Sequence, residues 1–255
     1  MATTAIGGRV ISLGSVDSTN NYAADLLAGG GVHHGTVILA REQTAGRGQR
    51  GRVWRSGDGL DLTASVILVP EHMRVSDQFG LSKLVAVAVH DVVAGSLIAA
   101  GRDPVGVRIK WPNDVLVDRH KIAGILIKNE VMGSLIRSSV VGIGLNVNSL
   151  EWEEGLLATS LRQETGREEA VDAVLERLCL RLEELWATFD PQAPSLSERY
   201  GSLLWSRGRF VALERDGEPW TARPMDVDAD GRLLVEDTEG SVHAYGLERL
   251  RFGPR

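Results

Sequence analysis

Residues 79–98 are apolar on nearly every side, and Gly101 and Pro104 close the run. A helix without a polar face must be wrapped by protein, and a sheet is the layer that wraps it. The surrounding segments supply one. Residues 36–40 and 62–69 are continuous apolar runs suited to buried strands, as are 105–109, 115–117, 122–127 and 138–147. Asp118-Arg119-His120 joins 115–117 to 122–127 as a hairpin. The expectation is an α+β unit, a mixed sheet with packed helices.

At the start, residues 10–13 form a short strand. Asp17-Ser18-Thr19-Asn20 then offers N-cap groups to a helix over 22–28, which Gly29-Gly30-Gly31 stops. Residues 149–166 are polar without a period, and a long loop in a compact unit is functional or mobile. Val171, Val174, Leu175, Leu178, Leu182, Leu185, Trp186 and Phe189 recur at helical spacing, so 168–189 forms an amphipathic helix, with Pro191 and Pro194 as stops. A further helix covers 196–204. The texture then changes to short runs at 209–213, 220–227, 233–236, 242–245 and 247–251, separated by turn residues. That pattern suits a small five-stranded β-barrel. The division is 1–204 and 205–255.

The formal charge of −6 argues against a nucleic-acid or membrane-surface binder. Cys179 is the single cysteine, so an internal disulfide and a cysteine metal site are excluded; within an apolar helical pattern it reads as a core thiol. The six histidines lack ligand spacing, and no structural metal is expected. No signal peptide is recognisable and no apolar run is read as long enough to span a bilayer, so a cytoplasmic protein is expected.

Against this acidic background, residues 43–55 place Arg47, Arg50, Arg52 and Arg55 beside Gly46, Gly48 and Gly51. Arginine forks match carboxylate and phosphate oxygens, and glycines permit close approach, so this is an anion-binding loop. Its glycines also fit G-x-G-x-x-G. A dinucleotide turn, however, opens a helix, whereas here Arg52-Val53-Trp54 leads to Ser-Gly-Asp-Gly and a β-like run. The anion chemistry is assigned to side chains.

Three more segments stand apart from plain core: Asp17 to Asn20, Lys110-Trp111-Pro112-Asn113-Asp114 continuing to Lys121-Ile122-Ala123-Gly124, and Gly142-Ile143-Gly144-Leu145-Asn146. Singly they read as a helix cap, a bend and a closely packed strand. Taken in order, Ser-Thr-Asn, Gln-Thr-x-Gly-Arg-Gly, Lys-Trp-Pro-Asn-Asp with a lysine seven residues later, and Gly-x-Gly-x-Asn resemble the biotin protein ligases over essentially the whole chain. The resemblance implies a catalytic unit like that of class II aminoacyl-tRNA synthetases, with an SH3-like C-terminal domain. It also implies a two-step reaction: biotin and Mg-ATP give biotinyl-adenylate, and a lysine of a biotin carboxyl carrier domain of an acyl-CoA carboxylase then takes the biotinyl group.

What it implies for the site follows residue by residue. Lys121 and Arg47 are the catalytic cations, offsetting the repulsion of a carboxylate and an α-phosphate. Ser18, Thr19, Asn20, Gln43, Gly48, Gln49 and Trp54 contact biotin, and Gly124, Gly142 and Gly144 let backbone approach the ligand. Arg50, Arg52, Lys110, Asn113, Asn146 and Arg251 face ATP, and Mg2+ arrives with the nucleotide near Asp114 without a protein cage.

The chain departs from the pattern at Gln49, where many relatives carry arginine, so a cation that retains the adenylate is missing. A stacking tryptophan of the later loop has no counterpart, Trp152 falling too early; residues 156–160 are the alternative cover. The chain begins almost at the ligase domain, so no DNA-binding domain is expected. Oligomeric state is open between monomer and homodimer. The competing readings are a lipoate- or octanoate-transferring enzyme, which the motifs fit less well, and a non-catalytic biotin-sensing module, which retention of Arg47 and Lys121 disfavours.

Overall fold

A computed structural model describes residues 5–253, with the side chain of Arg50 outside the described residues. A seven-stranded sheet spans residues 9–145, in the order β1-β2-β3-β7-β6-β5-β4. Its strands are β1 (Arg9–Val16), β2 (Thr36–Gln43), β3 (Leu62–Leu68), β4 (Val107–Lys110), β5 (Asp114–Val117), β6 (His120–Met132) and β7 (Leu135–Leu145). Only β1 and β2 run parallel.

The two faces have different covers. On one lies α2 (Gln78–Ala99), whose Leu84, Val85, Val89 and Val93 meet Val66, Ile125, Val141 and Ile143 in the main core. By length and composition α2 reaches the dimensions of a membrane span, which corrects the sequence expectation, but 72% of its apolar window is buried inside the protein. The amphipathic α4 (Val171–Trp186) and α5 (Pro194–Ser202) pack outside it. The opposite face carries α1 (Thr19–Ala28), over a small cluster of Ala23, Ile38, Ile67 and Val140, and the side chain of Trp54 lies on the same face. The rest of that face is left for chemistry.

A second, antiparallel sheet has the order β11-β10-β9-β8-β12, from β8 (Val211–Arg215), β9 (Glu218–Val227), β10 (Leu233–Asp237), β11 (Val242–Tyr245) and β12 (Leu250–Phe252). It is joined to the first along β4. Ile109 N–H donates to Leu203 O at 2.9 Å, Trp205 N–H to Ile109 O at 2.8 Å, and the indole of Trp111 to Gly231 O at 2.9 Å. Leu213, Val235 and Leu250 continue the main core without a break.

Several elements differ from expectation for local reasons. Pro104–Gly106 is a 3-10 turn, capped by Asp103 accepting from Val105 N–H, and this delays β4 to Val107. Pro194 opens α5 instead of merely stopping α4, because the first turn of a helix does not use that N–H. Within the segment read as irregular, α3 (Leu161–Thr165) starts at Ser160, which accepts from Gln163 N–H, and ends at left-handed Gly166, φ 73°.

Candidate active site

Strand register defines one row of residues across the uncovered face. Ala40 pairs with Thr63, Thr63 with Gly144, Gly144 with Gly124, Gly124 with Asp114, and Asp114 with Lys110. A second row runs Ser65, Gly142, Leu126. Directly paired residues share a face, so the glycine motif of β7 and Gly124 of β6 form a lane without side chains between polar and charged flanks.

In this structure protein side chains lie over that lane. A β-carbon on Gly142 would stand 2.5 Å from Asn20 Oδ1; one on Gly144 would stand 2.3 Å from Trp54 Cε2; one on Gly124 would stand 3.0 Å from Lys121 Nζ and 3.3 Å from Trp54 Cζ3. The glycines seat Asn20 and Trp54 against the sheet.

The start of α1 is held by a relay of hydrogen bonds. Ser18 occupies the N-cap position with no side-chain cap bond; instead Gln43 Oε1 accepts from Thr19 N–H at 2.9 Å and lies 3.1 Å from Thr19 Oγ1. Ser65 Oγ lies 2.8 Å from Thr19 Oγ1 and 2.6 Å from Asn20 Oδ1, and Asn20 Nδ2 donates to Leu126 O at 3.1 Å. Ser18, Thr19 and Asn20 are all buried. Sequence reading missed Ser65, yet a signal exists: Thr63 and Ser65 are polar at alternate positions of an apolar strand and therefore share one face.

The arginine loop is a miniature hairpin. Gly48 N–H donates to Arg52 O at 2.7 Å, Trp54 N–H to Gly46 O at 3.0 Å, and Arg47 bridges Val53. Residues 49–51 form a 3-10 turn rather than a helix, consistent with the rejection of a dinucleotide turn. Arg47 and Arg52 are exposed, and Gln49 is half-buried. The Asp17 carboxyl sits below its usual range, chiefly because the Asn21 amide and the Ser18 backbone N–H hydrogen-bond to it, with a smaller pull from the Arg47 guanidinium.

Lys121, whose backbone pairs with Leu116, reaches Asp114 of the row through its side chain. Its Nζ lies 2.7 Å from Asp114 Oδ1 and 5.5 Å from the Trp54 ring centroid. The later loop fixes its backbone: Lys121 N–H donates to Leu157 O and Lys121 O accepts from Thr159 N–H, so residues 157–159 run beside the start of β6. Buried Asn146 donates to Thr159 O at 2.9 Å and Lys121 O at 3.4 Å; Asn113 donates to Ile125 O at 2.9 Å. These bonds tie Asn146 to the backbone on either side of Lys121 and Asn113 to β6 beside Asp114. Asp61, also missed, is buried and accepts from Val147 N–H, Ser149 N–H and Ser149 O–H, fixing the turn after β7.

Other expectations land outside this constellation. Arg251 is exposed and lies 3.9 Å from Glu214, its cross-strand partner. Trp152 donates to Gln163, and Arg55 pairs with Glu153, tying the arginine loop to the later one. Trp54 Nε1, on the ring that lies over the glycine lane, and Ser56 Oγ are buried without a hydrogen-bond partner. Among the described residues no group of three His, Cys, Asp or Glu side chains could hold a metal ion. Mg2+ accepts one carboxylate plus nucleotide phosphates, and Asp114 is the carboxylate in this row.

Comparison with known proteins agrees with this geometry. The sequence pattern of the biotin/lipoate A/B protein ligase family matches residues 13–148. A biotin–[acetyl-CoA-carboxylase] ligase of Paracoccus denitrificans is 37% identical, covering 92% of this chain and 93% of that protein. The bifunctional ligase/repressor BirA of Bacillus spizizenii is 31% identical, covering 97% of this chain and 75% of that protein. The solved structure of the biotin protein ligase from Aquifex aeolicus in complex with biotin and ATP matches with a TM-score of 0.77 and 26% identity, over 96% of this chain and 99% of that one. With the motif residues of four separate segments gathered on one face of the sheet, the chain belongs to the biotin protein ligases of the biotin/lipoate A/B protein ligase family.

Proposed function

We propose that this face performs ATP-dependent attachment of biotin to a lysine of a biotin carboxyl carrier domain of an acyl-CoA carboxylase. The observation that carries the proposal is the row Gly144, Gly124, Asp114, with the Lys121 ammonium held between the Asp114 carboxylate and the Trp54 ring. Biotin enters beside Trp54, against Thr19, Asn20 and Gln43, which supply donors and acceptors for its ureido group without a charge. The unpartnered Trp54 and Ser56 groups support a polar arrival there.

In the first step a biotin carboxylate oxygen attacks the α-phosphorus of ATP. The bond from that phosphorus to the bridging oxygen breaks, and pyrophosphate leaves with the electron pair. Lys121 and Arg47 offset the negative charge that crowds at the α-phosphate. Asp114 would hold the Mg2+ that accompanies the nucleotide, and that ion would supply neutralisation of phosphate charge. In the second step the neutral amine of the carrier lysine attacks the acyl carbon, AMP leaves, and the nitrogen loses a proton. Neither cation exchanges a proton. Residues 1–204 form the catalytic unit and residues 205–255 the C-terminal domain, and the protein works in the cytoplasm, without DNA or membrane, as a monomer or homodimer.

The test is transfer of labelled biotin to a biotin carboxyl carrier domain, with and without ATP, beside Lys121→Ala and with lipoate as competitor. The expected result is ATP-dependent label on the carrier lysine, greatly slowed in the variant and indifferent to lipoate. Biotin binding without transfer would favour a sensing module, and competition by lipoate a lipoyl-transferring enzyme.

A further inference from the structure

The turn between β9 and β10 fits one spot on the first sheet. Asp228 ties the turn together: its carbonyl accepts from Gly231 N–H at 3.1 Å, and its carboxylate accepts from Arg232 N–H at 2.8 Å and from Arg232 Nε at 2.7 Å. Gly231 has φ 82°, a conformation that favours glycine, and a β-carbon there would lie 2.5 Å from Phe79 Cδ2. Phe79, in the first turn of α2, is braced edge to face against the buried ring of Tyr200 at 6.0 Å and 80°. Seated on that ring, the turn presents Gly231 O to the indole of Trp111, which donates to it at 2.9 Å. Trp111 is 3% exposed, so water is poorly placed to replace that carbonyl.

Trp111 opens the three-residue bend that carries the chain from β4 to β5. Asn113, which ends the bend, is pinned twice to β6: its carbonyl accepts from Ile125 N–H and its amide donates to Ile125 O, both at 2.9 Å. The next residue is Asp114, whose carboxylate lies 2.7 Å from the Lys121 ammonium. A bend fixed at one end by the C-terminal sheet and at the other by β6 leaves Asp114 little freedom. That rigidity matters at a reacting centre, where a misplacement of about 1 Å can cost about 100-fold in rate.

We propose that Trp111 and Gly231 are positioning residues for adenylation. The bond from indole to carbonyl lets the C-terminal sheet set the bend, and the bend sets Asp114 and with it the Lys121 ammonium. This inference rests on the ligase function above and adds a route by which the second sheet acts on the reacting centre.

Trp111→Phe keeps a buried ring and removes the donor. Gly231→Ala keeps the donor and lifts the turn from Phe79. In each, single-turnover formation of labelled biotinyl-adenylate at saturating ATP is expected to slow about three- to tenfold, the range that one net hydrogen bond commands, with biotin affinity by calorimetric titration unchanged. Because the effect passes through Asp114, Trp111→Phe combined with Asp114→Asn is expected to be no slower than Asp114→Asn alone. A merely structural role would instead lower biotin affinity and adenylation together. Undiminished adenylation in both single variants overturns the proposal, as does a matching loss of biotin affinity or a multiplying of the single losses in the double variant. Should Trp111→Phe not fold, Gly231→Ala carries the same comparison, including its combination with Asp114→Asn. Absence of adenylate formation by the wild-type protein overturns the ligase function and this inference with it; a wild type that forms the adenylate no faster than the variants overturns this inference alone.

Discussion

The indole of Trp54 lies on the backbone of Gly144, so close that a β-carbon there would come within 2.3 Å of the ring. The contact joins the arginine loop to the centre of the sheet and places an aromatic wall beside Lys121. Gly144→Ala must therefore lift Trp54 from its seat. Overpacking of this kind costs about 1–3 kcal/mol, and the loss is expected mainly in ligand binding because the displaced ring belongs to a surface loop. Calorimetric titration with biotin is expected to show affinity reduced about tenfold or more, with Gly142→Ala behaving likewise through Asn20. Unchanged affinity in both variants would refute the seating argument.

Lys121→Ala removes the cation held by Asp114 and leaves that carboxylate facing the incoming phosphates. Loss of one preorganised electrostatic group typically slows chemistry about 100- to 1,000-fold. Single-turnover adenylation should fall by that order while biotin binding falls far less. Lys121→Arg, which keeps the charge but not the point geometry, should recover part of the rate. Equal rates in wild type and Lys121→Ala would remove Lys121 from the mechanism.

Much of this arrangement is legible in the sequence because it is local. The apolar run of α2 demands burial, the strands announce themselves as apolar stretches, and the four motifs mark the segments that meet. What the sequence does not reveal is which side chain uses which partner. Asn113 and Asn146 read as ligand groups; that their amide donors close backbone bonds at Ile125 and Thr159 is fixed only by the approach of segments distant in sequence. Gly142 and Gly144 signal close approach but do not say that Asn20 and Trp54 are what approaches. Ser160 and Gln163, by contrast, carry a recognisable capping pattern, so α3 was readable from local chemistry.

Gln49 sits within the 3-10 turn of the arginine loop, half-buried. The neutral amide gives less hold on an anionic adenylate than a guanidinium does. Gln49→Arg is expected to slow release of labelled biotinyl-adenylate from the isolated enzyme about ten- to 100-fold, a charge-assisted hydrogen bond being worth about 1.5–3 kcal/mol. Equal release rates in the two proteins would contradict this.

His34 couples the sheet to pH. Its Nδ1 accepts a hydrogen bond from Val69 N–H at 3.1 Å, and its ring leans on Trp186 at 5.0 Å. Burial holds its pKa below the ordinary 6.5, with Glu183 opposing in part. Below 6.5 the unfolded chain binds the proton more readily than the folded one, so this contribution is complete above that pH and is lost as pH falls through the folded value. His34→Gln retains an acceptor without a titration. Its melting temperature should therefore decline less steeply than that of the wild type between pH 7 and 5, about the range in which histidine titrates; parallel profiles would show that His34 does not contribute.

Cys179 should be chemically silent while the protein is folded. Burial pushes its thiol up to about 11, and Gly7, at φ 85°, packs so closely that a β-carbon there would lie 2.8 Å from Cys179 Cβ. At a pH near 8 almost none of it is thiolate, the form that reacts. A chromogenic disulfide reagent is expected to modify the thiol only after denaturant is added, at a rate that follows global unfolding. The same raised pKa means that its contribution to stability is complete below the ordinary value of 9 and is lost as pH rises through 11. Rapid stoichiometric labelling of the native enzyme at pH 8, with biotin transfer intact, would show that the α4 packing opens far more easily than its burial implies.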